Sequence, residues 1–112
     1  GILQDPAVEF IFAMMDTVRD GRRFYDVFRM MKTGYSPVSH DECEELENYC
    51  SKYHIRSGRW KKPFVYGMQE EGAEKLNRLN QLRETADAFI RRGEELFQGR
   101  KTVREKTEAL YL

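Results

Sequence analysis

From Glu70 to Phe97 the apolar residues Leu76, Leu79, Leu82, Ala86, Phe89, Ile90, Leu96 and Phe97 recur mostly at spacings of three and four. That is the period of one helical face. A single helix over this stretch would be roughly 40 Å long at the usual rise. In a chain of 112 residues, so long an element leaves the rest of the sequence little choice but to pack along it. Gly93 falls inside the pattern and predicts a bend or the close approach of another helix. Gly99 reads as its stop, and Thr102-Val103-Arg104-Glu105 as a capping box opening a further helix.

The preceding residues supply shorter helices. Asp5 before Pro6 is an N-cap followed by a proline at the first helical position. The helix it opens is expected over 6–19, with Val8, Ile11, Phe12, Met15 and Val18 as its apolar face and Asp20-Gly21 as its end. A second helix is expected over 24–33, with Val27, Phe28, Met30 and Met31 inward, Gly34 as its left-handed cap and Pro37 beyond. Ser39-His40-Asp41-Glu42 fits a capping box, and Leu46, Tyr49, Cys50 and Tyr53 make the stripe of the helix that follows. No segment reads convincingly as a strand. The fold expected is all-α: one compact domain over 1–112, of four to five helices, one of them long.

Composition narrows the function. Nineteen basic and nineteen acidic residues cancel, so a globally basic nucleic-acid binder is not indicated and any such contact has to come from a local patch. There is no apolar run long enough to span a membrane. The first apolar stretch is broken by Asp5, Glu9 and Asp16, unlike a secretory leader. Cys43 and Cys50 lie seven apart on one helix, roughly 10 Å by helical rise, beyond disulfide reach. Free thiols and a cytoplasmic location are expected. The ends, Gly1-Ile2-Leu3 and Ala109-Leu110-Tyr111-Leu112, are abrupt and apolar, which suggests a piece excised from a longer chain.

Catalytic and cofactor motifs are not found. No phosphate-binding glycine loop or dinucleotide fingerprint is present. Lys32-Thr33-Gly34 lacks the glycines that would precede it in such a loop and reads as a helix end. His40, Cys43, Cys50 and His54 have zinc-ligand chemistry, but along a continuous helix the two pairs lie about two turns apart, too far for one tetrahedral ion. Cys50 and His54 could form a dyad, yet no third group orients them. We expect no catalytic residue and no metal or cofactor site in this stretch.

The segment 54–68 is the most distinctive. It is punctuated by Ser57, Gly58, Pro63 and Gly67 and reads as a connection. Arg56, Arg59, Lys61 and Lys62 place four positive charges in seven residues with no acid among them. Trp60 sits among them, flanked by Tyr53, Phe64 and Tyr66. Cations that follow a phosphate backbone, together with aromatic faces that stack on bases, form a single-strand-binding pattern. The candidate DNA-binding residues are therefore Arg56, Arg59, Trp60, Lys61 and Lys62. The competing structural reading makes Trp60 a core anchor and the cations a solvated rim. Arg19, Arg22 and Arg23 form a second basic turn, ranked lower because Asp16, Asp20 and Asp26 offset it.

Lys32-Thr33-Gly34, Leu46-Glu47-Asn48-Tyr49 and Gly58-Arg59-Trp60, in that order and spacing, resemble a helical segment of the AddB/RexB family, the B subunit of bacterial ATP-dependent helicase-nucleases. Asp5 to Phe10, Phe24 to Arg29 and Thr102 to Tyr111 extend the resemblance along nearly the whole chain. It implies that the parent protein pairs with an AddA/RexA-type helicase-nuclease subunit and acts on DNA, processing double-strand breaks for recombination. It places the segment in a helical insertion of the inactivated helicase-like part, similar to subdomain 2B of superfamily 1 helicases. ATP, magnesium and an iron–sulfur cluster are implied for the parent complex only. The family's cluster cysteines belong to a nuclease domain that matches nothing in this chain. The alternative is a stand-alone helical protein-interaction module.

Overall fold

The computed structural model describes Gly1 and residues 4–97, and among them it is helical without a strand. The elements are α1 (Pro6–Arg19), α2 (Phe24–Met31), α3 (His40–Lys52), a 3₁₀ turn (Ser57–Lys61), α4 (Met68–Glu71) and α5 (Ala73–Phe97). The all-α fold with one long helix is the architecture expected. The stop at Gly99 and the capping box at Thr102 lie outside the described residues.

The helix starts follow their local chemistry. The Asp5 carboxylate accepts from the Ala7 amide at 2.7 Å, with Pro6 in the first turn. Ser39 and Glu42 complete the capping box: the Ser39 hydroxyl accepts from the Glu42 amide, and the Glu42 carboxylate accepts from the Ser39 amide. At the end of α2 the Thr33 hydroxyl donates to the Met30 carbonyl and Gly34 turns to φ 86°, so Lys32-Thr33-Gly34 is a helix terminus.

The predicted long helix is divided. Gly72, at φ 87°, stands between α4 and α5, in a conformation that any residue with a Cβ would adopt only with strain. The helix therefore begins at Ala73 rather than Glu70. Its seam is as expected at Leu76, Leu79, Leu82, Ala86 and Ile90, while Leu96 is exposed. The inner face of α1 is also corrected. Ala13, Met14, Met15 and Thr17 are buried with Phe10 and Val18 packed beside them, whereas Ile11 is exposed. The helix is rotated from its most apolar face because two polar residues are drawn inward: Thr17 donates back to the Ala13 carbonyl at 2.8 Å, and Asp16 pairs with Arg29 of α2.

α1 packs on α2 and on α5, α3 packs on α2 and α5, and the 3₁₀ turn and α4 close onto α5. The aromatic centre of the core is Trp60, with Phe28 at 5.8 Å and Phe64 at 6.2 Å between ring centroids; Tyr49 in turn lies 4.8 Å from Phe64. Burial of each such side chain contributes about 1.5–3 kcal/mol. The core thus draws the middle of the basic connection inward and leaves its cations outside.

Candidate nucleic-acid interface

The connection after α3 is shaped by its helix end. His54 takes φ +56° just after the last turn, and the Ile55 amide donates to the Cys50 carbonyl at 2.9 Å, with Ile55 buried. This is the Schellman arrangement, with histidine where glycine is usual. The chain then rises to Ser57, also at positive φ, whose amide donates to the Arg22 carbonyl at 2.9 Å. On the far side Asn80 of α5 holds Phe64 by both backbone groups: its side-chain oxygen accepts from the Phe64 amide at 2.7 Å and its amide nitrogen donates to the Phe64 carbonyl at 3.0 Å. Arg83, one turn on, donates to Asn80 and to the Trp60 carbonyl. Asn80 and Arg83 carry no sequence pattern that would have marked them as loop clamps.

The five candidate residues divide sharply. Trp60 is fully buried, so its ring is withdrawn from the DNA-facing set; packing between Phe28 and Phe64 outweighs any solvent-facing role. Arg56, Arg59, Lys61 and Lys62 are all exposed. His54, Arg56, Ser57, Gly58, Arg59 and Lys62 line an open cleft of about 490 Å³. Arg59 is the most committed of the four. Its Nη1 donates to the carbonyls of Tyr53 (3.2 Å) and His54 (3.0 Å), neutralising the negative end of α3, and its Nη2 donates to the Tyr66 hydroxyl at 3.0 Å.

The charge pattern of the surface singles out this loop. Among the described residues, every Lys and Arg has a carboxylate within ion-pair distance except Arg56, Arg59, Lys61, Lys62 and Arg92. Elsewhere the pairs form networks. Arg29 joins Glu9 and Asp16, Lys52 and Lys75 meet at Glu71, and Lys32 pairs with Glu47 at 2.7 Å. The Lys75, Tyr53 and Lys52 donors hold the Glu71 carboxyl down at about 2 from the ordinary 4.5.

The second basic turn is structural. Arg22 is buried, at φ +63°, with its guanidinium against Asp87 (2.5 Å) and Glu94 (3.1 Å) of α5. The Leu46-Glu47-Asn48-Tyr49 string also works structurally, since the Tyr49 hydroxyl donates to the Tyr66 carbonyl at 2.9 Å while burial pushes its pKa up to about 12. Both cysteines are buried and unbridged, and burial raises both thiols. Among the described residues no three His, Cys, Asp or Glu side chains come together to hold a metal ion, and no helix is long and apolar enough to cross a membrane.

No protein-family model matches the chain. Curated relatives do. The B subunit of the ATP-dependent helicase/deoxyribonuclease from Alkaliphilus metalliredigens is 32% identical over 124 residues, covering 98% of this chain and 11% of the relative. The proteins of the same name from Moorella thermoacetica and Bacillus licheniformis are each 33% identical, over 95% and 96% of the chain and 10% and 11% of their own lengths. The chain therefore spans about a tenth of the length of the relatives it matches. It is a homologue of one segment of the B subunits of ATP-dependent helicase/deoxyribonucleases, the family that its motifs resemble.

Proposed function

We propose that this chain is a non-catalytic helical element of the B subunit of a helicase-nuclease, and that it guides DNA along the loop 56–62. In this reading the whole protein pairs with an AddA/RexA-type subunit and processes double-strand breaks for recombination. The segment corresponds to a 2B-like helical insertion. ATP, magnesium and an iron–sulfur cluster serve the parent complex and lie elsewhere in it. Cys43 and Cys50 are buried, which makes them poor ligands for such a cluster.

The observation that carries the reading is the local failure of charge pairing. Among the described residues, the cations without a carboxylate partner are Arg92 and the four of one exposed loop. Like charges held together cost energy unless an anion meets them. The names of the relatives make a nucleic-acid backbone the natural anion. With Trp60 in the core, binding through Arg56, Lys61 and Lys62 is chiefly electrostatic and independent of sequence.

Replacing Arg56, Lys61 and Lys62 together with Ala tests this, because all three are exposed and none makes a side-chain hydrogen bond or ion pair among the described residues. Binding of a short duplex or single strand by the 112-residue chain should weaken as salt rises. In the triple variant the slope of log K against log salt should shallow by about 0.7–0.9 for each phosphate no longer neutralised. A triple variant that binds as tightly, with the same slope, sinks the assignment. Exposed Tyr25, Val65 and Met68 favour a second reading, docking onto a protein partner, which predicts association insensitive to salt.

A further inference from the structure

Resting on the DNA reading above, we infer that Arg59 is a stacking surface for an unpaired nucleobase of single-stranded DNA. The guanidinium sits against Tyr66, whose ring forms a ladder with that of Tyr53. The Tyr53 and Tyr66 rings are stacked, 6.3 Å between centroids and 15° between planes. The Arg59 guanidinium carbon lies 5.1 Å from the Tyr66 centroid. Tyr66 is held from behind, since its backbone carbonyl accepts from the buried Tyr49 hydroxyl. Tyr53 is held by its own hydroxyl, which donates to the Glu71 carboxylate at 2.9 Å. The ladder is thus braced at every level before any ligand arrives.

The hydrogen bonds of Arg59 fix the position of its guanidinium. Nη1 is shared between two helix-end carbonyls and Nη2 is given to the Tyr66 hydroxyl. Those bonds lie around the rim of the guanidinium and leave its Nε–H and one Nη2 hydrogen without a partner among the described residues. The flat faces of the group are not engaged by hydrogen bonds. The guanidinium carbon stands over the Tyr66 ring, while the residue as a whole remains exposed. A guanidinium plane is weakly hydrated and stacks on π-systems, and bases splayed from single strands are received on such planes. Arg56 and Lys62 line the same cleft and are unpaired, so a base placed on Arg59 would have its own phosphates beside free cations. In this arrangement Arg56, Lys61 and Lys62 meet the backbone, and Arg59 meets a base. Duplex DNA, whose bases are already stacked, gains nothing from the ladder.

The test compares an oligothymidylate with an abasic strand of equal length, which has the same phosphates and no bases. The 112-residue chain should bind the thymidylate several-fold to about tenfold more tightly, the scale of one stacked base. Arg59→Lys keeps the charge and removes the plane. It should bind both strands alike, with the salt slope on the abasic strand unchanged. Equal binding of the two strands by the parent chain, or a preference that survives in Arg59→Lys, overturns the stacking role and leaves the electrostatic reading standing. Failure of the parent chain to bind either strand at low salt overturns both. If Arg59→Lys loses its cooperative melt, Tyr66→Leu takes its place, since it removes the leaf beneath the guanidinium and should abolish the same preference; retention of the preference there counts equally against the ladder.

Discussion

Arg22 ties the helical frame to the basic loop through two different parts of one residue. Its side chain is buried against Asp87 and Glu94, and its carbonyl receives the Ser57 amide that starts the 3₁₀ turn. Removing a partner from a buried ion pair strands the other charge, at a cost of about 3–5 kcal/mol. Glu94 is partly exposed and Asp87 keeps Arg91, so Arg22→Ala should fall near the lower end, about 3 kcal/mol, read as a lowered urea midpoint. A midpoint unchanged within error would show that the pair contributes nothing net. The sequence could not have ranked Arg22 correctly, because its acids lie 65 and 72 residues away while three nearer ones mask it. The cysteines are the opposite case: spacing alone indicated free thiols. Their burial, which raises both thiol pKa values, predicts no reaction with a disulfide reagent at neutral pH until urea unfolds the chain. Prompt labelling of the native protein would contradict the packing of α3.

At the scale of elements, the contact between α1 and α5 turns on Gly93. A Cβ there would sit well inside van der Waals contact with Met14, whose side chain is buried. Alanine is the better helix former by about 1 kcal/mol, but overpacking costs about 1–3 kcal/mol. The second effect should win, so Gly93→Ala destabilises the native chain. In a Met14→Ala background the clash is gone, and the same change should become neutral or stabilising by up to about 1 kcal/mol. Equal effects in both backgrounds would place the origin of the loss elsewhere. Gly93 was legible as a break in a periodic pattern, since glycine inside a helix demands a reason. So were the Ser39 capping box and the Asp5-Pro6 start, which are local in sequence. His54 was not legible as the turn residue after α3, because a histidine at positive φ gives no warning and its position is set by the burial of Ile55 beyond it. The rotation of α1 escaped for a similar reason: Asp16 faces inward only because Arg29 arrives from the next helix. The loop's charge could be read directly, but the burial of Trp60 and the Asn80 clamp needed the third dimension.

For the whole molecule, a formal net charge of zero conceals an uneven arrangement. Among the described residues, pairing is dense where α3, α4 and α5 converge and absent over the loop. Glu71 is the point of convergence, receiving Lys52, Tyr53 and Lys75 from two other helices and their ends. Its carboxyl is held at about 2 in the folded chain against an ordinary 4.5. A depressed folded value means that the stabilisation is fully present above about 4.5 and is lost as pH falls from there towards 2. Glu9, held down by Arg29, and Asp20, held down by Arg19, respond in the same direction. Stability measured by urea titration should therefore be flat near neutrality and decline through this acid window. Glu71→Gln should be less stable than the parent chain at neutral pH and should show a shallower decline. Since Lys52 and Lys75 gain nothing from an amide, the two stability curves should converge at the acid end. Parallel curves across the window would mean that the Glu71 junction is not what joins the three helices.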